Sequence, residues 1–433
     1  MDKFKIKFIL FLVALFLIKL PPFYLFLVNS SLFTTHVVAK IAILVVLINL
    51  IYYHIINKIT LPRSSRIFIL ITAYFISQSL SIVAAKDTFL FLKYYQTIIF
   101  DCLIFVLAYY FVLSRPKLLY TLFSFAVVTG ITCLGFELSY IFFNKFIIDV
   151  FNIFLQKEVQ IQYLFDLDRG RYYLYIMPEY FLPFFLYLLY KSINRKLIIK
   201  SLGYVFISIC LVSVSFFSNF RRPVVTSIFC IVFFLFYLYK SRMLRVSMSF
   251  IVLIITLIIS ILITVSISNK LFKFNVIDRF VLQNEITDLG SLDFRLDQFN
   301  NSMDLFKQSP LIGIGLGNFR YYIGKPISVY FSSSKRDIQI NSDVNPHSVI
   351  SRTLAETGIL GIFSFGLMIV LFAINDFFFI MHNKVFMQLP FIISFWAMFV
   401  FALFSPFDTV FMNGWFWFFR GILEGYYCSR NKA

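Results

Sequence analysis

Again and again along the chain, about twenty consecutive residues are almost all apolar, the length an α-helix needs to cross the roughly 30 Å hydrocarbon core of a bilayer. Such runs lie near 8–28, 37–56, 66–84, 95–113, 118–142, 173–190, 200–217, 223–239, 246–267, 356–381, 386–404 and 410–426. Inside lipid every backbone amide and carbonyl must find its partner within its own segment, so runs of this length predict helices. The expected fold is therefore all-α and polytopic, with about 12 transmembrane helices. Composition leaves no room for a soluble alternative: of 433 residues 60% are hydrophobic and 14% charged, and 60 are Phe. The first run passes through Pro21 and Pro22 without a small-residue cleavage site, so it reads as an uncleaved span. No repeat or linker divides residues 1–433, which read as a single integral membrane domain.

The formal charge of +18 is distributed in short clusters between the apolar runs. Lys3, Lys5 and Lys7, then Lys58/Arg63/Arg66, Arg115/Lys117, Lys191/Arg195/Lys196/Lys200, Lys240/Arg242/Arg245, Lys384 and Arg430/Lys432 all fall on one side when the runs are threaded in order. Basic loops mark the cytoplasmic side, so both termini are expected there. No stacking platform accompanies the charge, which argues against nucleic acid as a partner. The segments 144–172 and 268–355 then face outward. The second is far longer than a connecting loop requires and is expected to carry function. Leu292, Leu296, Phe299, Met303 and Phe306 recur at helical spacing within it, with Arg295 at the edge of the stripe and Pro310 beyond its end, which predicts a helix. The 5 cysteines show no metal-ligand spacing, and neither a metal nor a cofactor is expected.

A few residues stand against this pattern. Arg221 and Arg222 occupy a short outer turn, where positive charge is disfavoured. They either reach headgroups and bundle carboxylates or form an anion clamp, since guanidinium forks bind phosphate oxygens bidentately. Asp101, Glu137 and Glu179 fall inside or beside spans, either paired with nearby cations or lining a polar cavity that opens outward. Lys19 and Arg420 are intramembrane and equally open in role. Of the 4 histidines, His36, His54 and His382 sit at span ends, whereas His347 stands where the long outer segment meets the next span. There Pro346 favours an extended or turn approach, Ser348 can cap the helix, and Gly358 and Gly361 admit a close neighbour such as a helix or lipid. The glycines of 313–317 lack the order and the preceding strand of a nucleotide loop and are read as a tight turn.

Arg221-Arg222 at the head of the eighth span, Arg295 followed by Ser309-Pro310 and Gly313-Ile-Gly-Leu-Gly-Asn-Phe319, and His347-Ser348, nine residues, then Gly358-Ile-Leu-Gly361 together resemble the O-antigen ligase and polymerase superfamily. The spacing His-[Asn/Ser/Gln]-x9-Gly-x-x-Gly matches in full, and the likeness covers roughly residues 213–365. Ligases tend to have leucine four residues after the span-eight arginine, where this chain has Val225 and Thr226.

The resemblance implies a membrane glycosyltransferase of lipopolysaccharide biosynthesis that uses neither nucleotide sugar nor metal. Its donor is a glycan on undecaprenyl diphosphate, and its acceptor is a sugar hydroxyl of lipid A-core for a ligase or of a second lipid-linked repeat for a polymerase. By the same resemblance Arg221, Arg222 and Arg295 bind the diphosphate, with Arg295 also catalytic, and His347 activates the acceptor at the periplasmic face of the inner membrane. A polyisoprenoid-glycan transporter is the alternative of a different class, and discontinuous spans in two corresponding halves would favour it. The orientation has a direct check. A reporter active only in the periplasm should be active when fused after residue 300 and silent near residue 195; the reverse pattern overturns the topology.

Overall fold

The computed structural model describes residues 3–19, 35–56, 66–142, 165–166, 171–172, 177–217, 221–240, 285–322, 348–382, 387–403 and 414–430, with isolated positions in 255–266. We label its helices in chain order: α1 (Lys3–Lys19), α2 (Thr35–Ile56), α3 (Arg66–Leu80), α4 (Thr88–Ser114), α5 (Leu118–Phe142), α6 (Leu182–Asn194), α7 (Ile198–Phe217), α8 (Arg221–Lys240), α9 (Glu285–Gln308), α10 (Val349–His382), α11 (Leu389–Leu403) and α12 (Gly414–Arg430). A 3-10 turn, Ser81–Ala84, extends α3, another, Pro178–Phe181, leads into α6, and one helical turn covers Phe319–Tyr322. The remaining regular element is a two-residue antiparallel ladder pairing Phe165–Asp166 with Arg171–Tyr172.

Helices cover the described parts of the expected spans; residues 20–28 of the first and most of the ninth, 246–267, lie outside the described residues. Among the described residues, six helices are long and apolar enough to cross a membrane: Ile67–Ala84, Thr88–Ser114, Leu118–Ser139, Ile198–Phe216, Pro223–Lys240 and Val349–Met381. Val38–Tyr52 and Leu389–Leu403 are apolar but shorter. Large apolar side chains such as Ile199, Phe206, Val232 and Phe363 face outward, as a lipid-facing surface requires.

Since lipid tails are as apolar as leucine, helices in a bilayer associate through close packing and polar contacts. Both devices are present. Helix α12 lies along α4 through Gly421 and Gly425. A Cβ on these glycines would stand 2.5 Å from the Phe105 carbonyl oxygen and 2.6 Å from that of Tyr109, so only hydrogen allows this approach. Aromatic rings fill the space beyond, with Trp415 stacked on Phe125 and edge-on to Phe181.

The second device is a buried ionic group. Arg420, fully buried, donates from Nη1 to both Asp376 oxygens at 2.9 Å and from Nη2 to Glu424. Asp376 also accepts from Trp396 Nε1 and from the Tyr427 hydroxyl, each at 2.8 Å. Asn375 donates to Glu424. The group ties α10, α11 and α12 together, which gives Arg420 a structural role. The guanidinium also lies 4.1 Å over the Phe372 ring.

Four contacts fix the relative directions of the helices. At one end of the bundle Arg115 lies over Phe4, and Lys240 donates to Met381 Sδ and lies over Phe377. At the other end Asn318 Oδ1 accepts from the Asp87 backbone amide at 2.7 Å, where α4 begins. Helices α4, α8 and α10 therefore all end on the basic side. Arg221-Arg222 and the start of α10 lie on the opposite side, with α9 packed against α10 there.

Removing the cation at 420 leaves two carboxylates buried together, a change that costs about 3–5 kcal/mol in known buried pairs. Arg420→Met should thus lower the melting temperature in detergent sharply, and Arg420→Lys should recover only part, since an ammonium cannot bridge both partners with a fork. A wild-type melting curve for Arg420→Met would show that the group contributes nothing to stability.

Candidate functional site

The site is built around a helix that breaks. Gly358, inside α10, has φ 64 and ψ −160, far from helical values, so α10 is two helices joined at that residue. A break leaves carbonyls without partners on one side and amides without partners on the other, and lipid offers neither.

The glycine-containing segment 310–318 fills both sets. Ile314 and Gly315 donate their amides to the carbonyls of Ala355 and Glu356, each at 3.0 Å. Across the break, Ile359 and Leu360 donate to the carbonyls of Pro310 and Leu311 at 2.8 and 3.2 Å. Such an approach leaves no space for side chains. A Cβ on Gly313, whose φ is 71, would meet the Glu356 carbonyl carbon at 2.3 Å, and one on Gly358 would meet Leu311 at 2.6 Å. The segment is more than the expected tight turn, and the neighbour admitted by Gly358 is this segment, not a helix or lipid.

The same segment is anchored on its other side. Leu316 donates its amide to Ser81 Oγ at 3.3 Å, and Asn318 bonds Asp87 in both directions. Asp87 in turn caps α4 by accepting from the Leu90 amide at 2.9 Å. Leu305, Ile314, Phe319 and Ala355 form a small separate core that holds α9, the segment and the first turns of α10 together. Ser77 and Ser364 share a hydrogen bond of 2.8 Å that fastens α3 to the second half of α10.

The predicted site residues fall on this framework as follows. Arg221 and Arg222 open α8, where aligned peptide dipoles add positive potential to that of the two guanidiniums and favour an anion. Arg295 lies within α9 one turn before Gln298. The side chains of these three arginines, and the whole of His347, lie outside the described residues. Ser348 caps α10 as expected, its Oγ accepting from the Ile350 amide at 3.2 Å, so His347 immediately precedes the cap. The structure thus brings the carrying elements to one end of the bundle. Asp101, Glu137 and Glu179 are buried. One Asp101 oxygen has no hydrogen-bond partner, and Glu179 stands in the 3-10 turn that packs against α8.

The predicted helix is present as α9, but it does not pack through its apolar stripe. Gln298, Ser302 and Leu305 are buried, whereas Leu296 and Phe299 of the apolar stripe are exposed. Small and polar side chains permit close approach, and an outward apolar stripe is compatible with a membrane boundary.

Arg352 and Glu356 went unremarked in the sequence. They form a buried pair, Arg352 Nε donating to Glu356 Oε2 at 2.9 Å, with the guanidinium 4.9 Å over the Tyr94 ring. Their i,i+4 spacing within an apolar span was the available signal.

The fold is that of a multi-pass helical membrane protein with a broken helix, α10, packed against α9. Residues 204–366 match a family model described as O-Antigen ligase, a segment that runs from α7 through both arginine-bearing helices to the second glycine of the motif. Over those residues the chain is similar to the O-antigen ligase family, which supports a function of O-antigen ligase or polymerase type. No curated protein matches the chain.

Proposed function

We propose that the protein is an O-antigen ligase-type glycosyltransferase, moving a glycan from undecaprenyl diphosphate to a sugar hydroxyl of lipid A-core at the periplasmic face of the inner membrane. The observation that carries this reading is that one matched segment, 204–366, holds Arg221, Arg222, Arg295, His347 and the interlocked glycines together. Twelve spans, with 268–355 as a periplasmic loop bearing catalytic residues, complete the picture.

In this mechanism Arg221, Arg222 and Arg295 bind the diphosphate oxygens. The neutral imidazole of His347 takes the proton from the acceptor hydroxyl as its oxygen attacks the anomeric carbon. The bond from that carbon to the phosphate oxygen breaks, and undecaprenyl diphosphate leaves with the electron pair, stabilised by the guanidiniums. No step calls for a metal or a nucleotide. Polymerisation of lipid-linked repeats uses the same chemistry with a different acceptor. Among the described residues Gly358 is the sole break inside a helix, whereas a transporter would favour breaks in two corresponding halves.

Transfer from purified lipid-linked glycan in detergent, with chelator present and no nucleotide, tests the proposal. His347→Ala should lose about 10²–10⁴-fold in rate with donor binding nearly unchanged, and higher pH should restore part of the loss. Arg222→Ala should abolish transfer, and Arg222→Lys should recover it poorly because the fork is missing. Wild-type rates for His347→Ala from neutral pH upward would remove the base. In a deletion strain, loss of all long chains with accumulated lipid-linked polymer marks a ligase, and a single repeat still capping the core marks a polymerase.

A further inference from the structure

The Arg352–Glu356 pair does not use all of its hydrogen-bonding groups. Arg352 is 3% exposed and Glu356 1%, yet Arg352 Nη2 and Glu356 Oε1 have no hydrogen-bond partner. Gln78 Nε2, on α3, is likewise buried and unpartnered, and it comes within 3.4 Å of where a Cβ on Gly361 would stand. Each unmet buried donor or acceptor is costly, more so when charged, so the arrangement is explained best by a polar group that fills it.

The chemistry of that group follows from the charges. Glu356 neutralises Arg352, and its free oxygen would repel a phosphate, so the pair is poorly suited to the diphosphate. A donor beside an acceptor suits a hydroxyl, which both gives and takes a hydrogen bond. The pair stands in the first two turns of α10, five and nine residues after His347, and its Glu356 carbonyl is held by Gly315. Since the reading above gives His347 the acceptor, a hydroxyl seated on the helix that directly follows it in sequence is assigned to that acceptor.

We infer that Arg352 and Glu356 form a subsite for a hydroxyl of the acceptor sugar, adjacent to the hydroxyl that reacts. The inference rests on the glycosyl-transfer reading above and adds to it the residues that select and orient the acceptor. Removing one partner of a hydrogen bond to a sugar hydroxyl then weakens acceptor binding and leaves diphosphate recognition untouched.

The test uses the full-length protein in detergent, undecaprenyl-diphosphate-linked glycan as donor and lipid A-core extracted from the same cells as acceptor. Steady-state constants are measured for the wild type, Glu356→Gln and Arg352→Lys. The acceptor KM should rise about tenfold or more in both variants, with donor KM unchanged and kcat within about threefold. An acceptor KM within twofold of wild type overturns the subsite and leaves a helix staple or a buried water. An equal rise in donor KM overturns it in favour of a phosphate contact. If either variant melts below the assay temperature, Arg352→Met/Glu356→Met removes both charges together, leaves neither uncompensated, and carries the same expectation. Absence of transfer by the wild type with this acceptor and with a second lipid-linked repeat defeats the parent reading instead.

Discussion

A broken helix in an apolar layer must have its open backbone groups satisfied, and here a single short segment does so on both sides of the break. Pro310 and Leu311 accept from the amides beyond Gly358, while Ile314 and Gly315 give to the carbonyls before it. This exchange is possible only where the two backbones touch, so Gly313 and Gly358 are needed together. Once it is made, the end of α9, the start of α4 and the first turns of α10 have fixed positions relative to one another. The proposed catalytic arginine and histidine are carried by segments that leave this joint.

Charge is divided between the two ends of the bundle according to use. On the basic side, Arg420 is enclosed by Asp376 and Glu424 with aromatic rings around it, a pairing suited to holding helices together although its Nε has no hydrogen-bond partner. On the other side, α8 opens with two arginines at the positive end of its dipole, and Arg352 keeps an unmet donor. Both arginines keep one unmet nitrogen, but Arg420 pairs with two carboxylates and Arg352 with one. The buried carboxylate of Asp101 stands beside the start of α12, 3.3 Å from where a Cβ on Gly414 would be, and Glu179 stands in the turn packed on α8.

Much of the fold was legible in the sequence because the bilayer imposes one length scale, and apolar runs of that length show directly where helices form. The helix containing Arg295 could also be read, from the spacing of Leu296, Phe299 and Met303. Its packing face could not, since periodicity reports which side is apolar and not which side is covered; Gln298 and Ser302 were buried in place of Leu296 and Phe299. The motif around His347 pointed to the site through its spacing, yet the reason for Gly358 lies some forty residues away at Pro310–Gly315. Contacts that distant leave no local pattern. Arg352 and Glu356 were passed over for a related reason: a helical i,i+4 ion pair looks like ordinary structural pairing until its unmet atoms are seen.

Amide hydrogen exchange reads the joint at Gly358 directly. In the wild-type protein in lipid nanodiscs, the amides of Ile314, Gly315, Ile359 and Leu360 should be strongly protected. Gly313→Val, whose Cβ would collide with the Glu356 backbone, should speed their exchange about a hundredfold or more while the interior of α4 stays protected. Unprotected exchange at these four amides in the wild type, or unchanged protection in Gly313→Val, would contradict the joint.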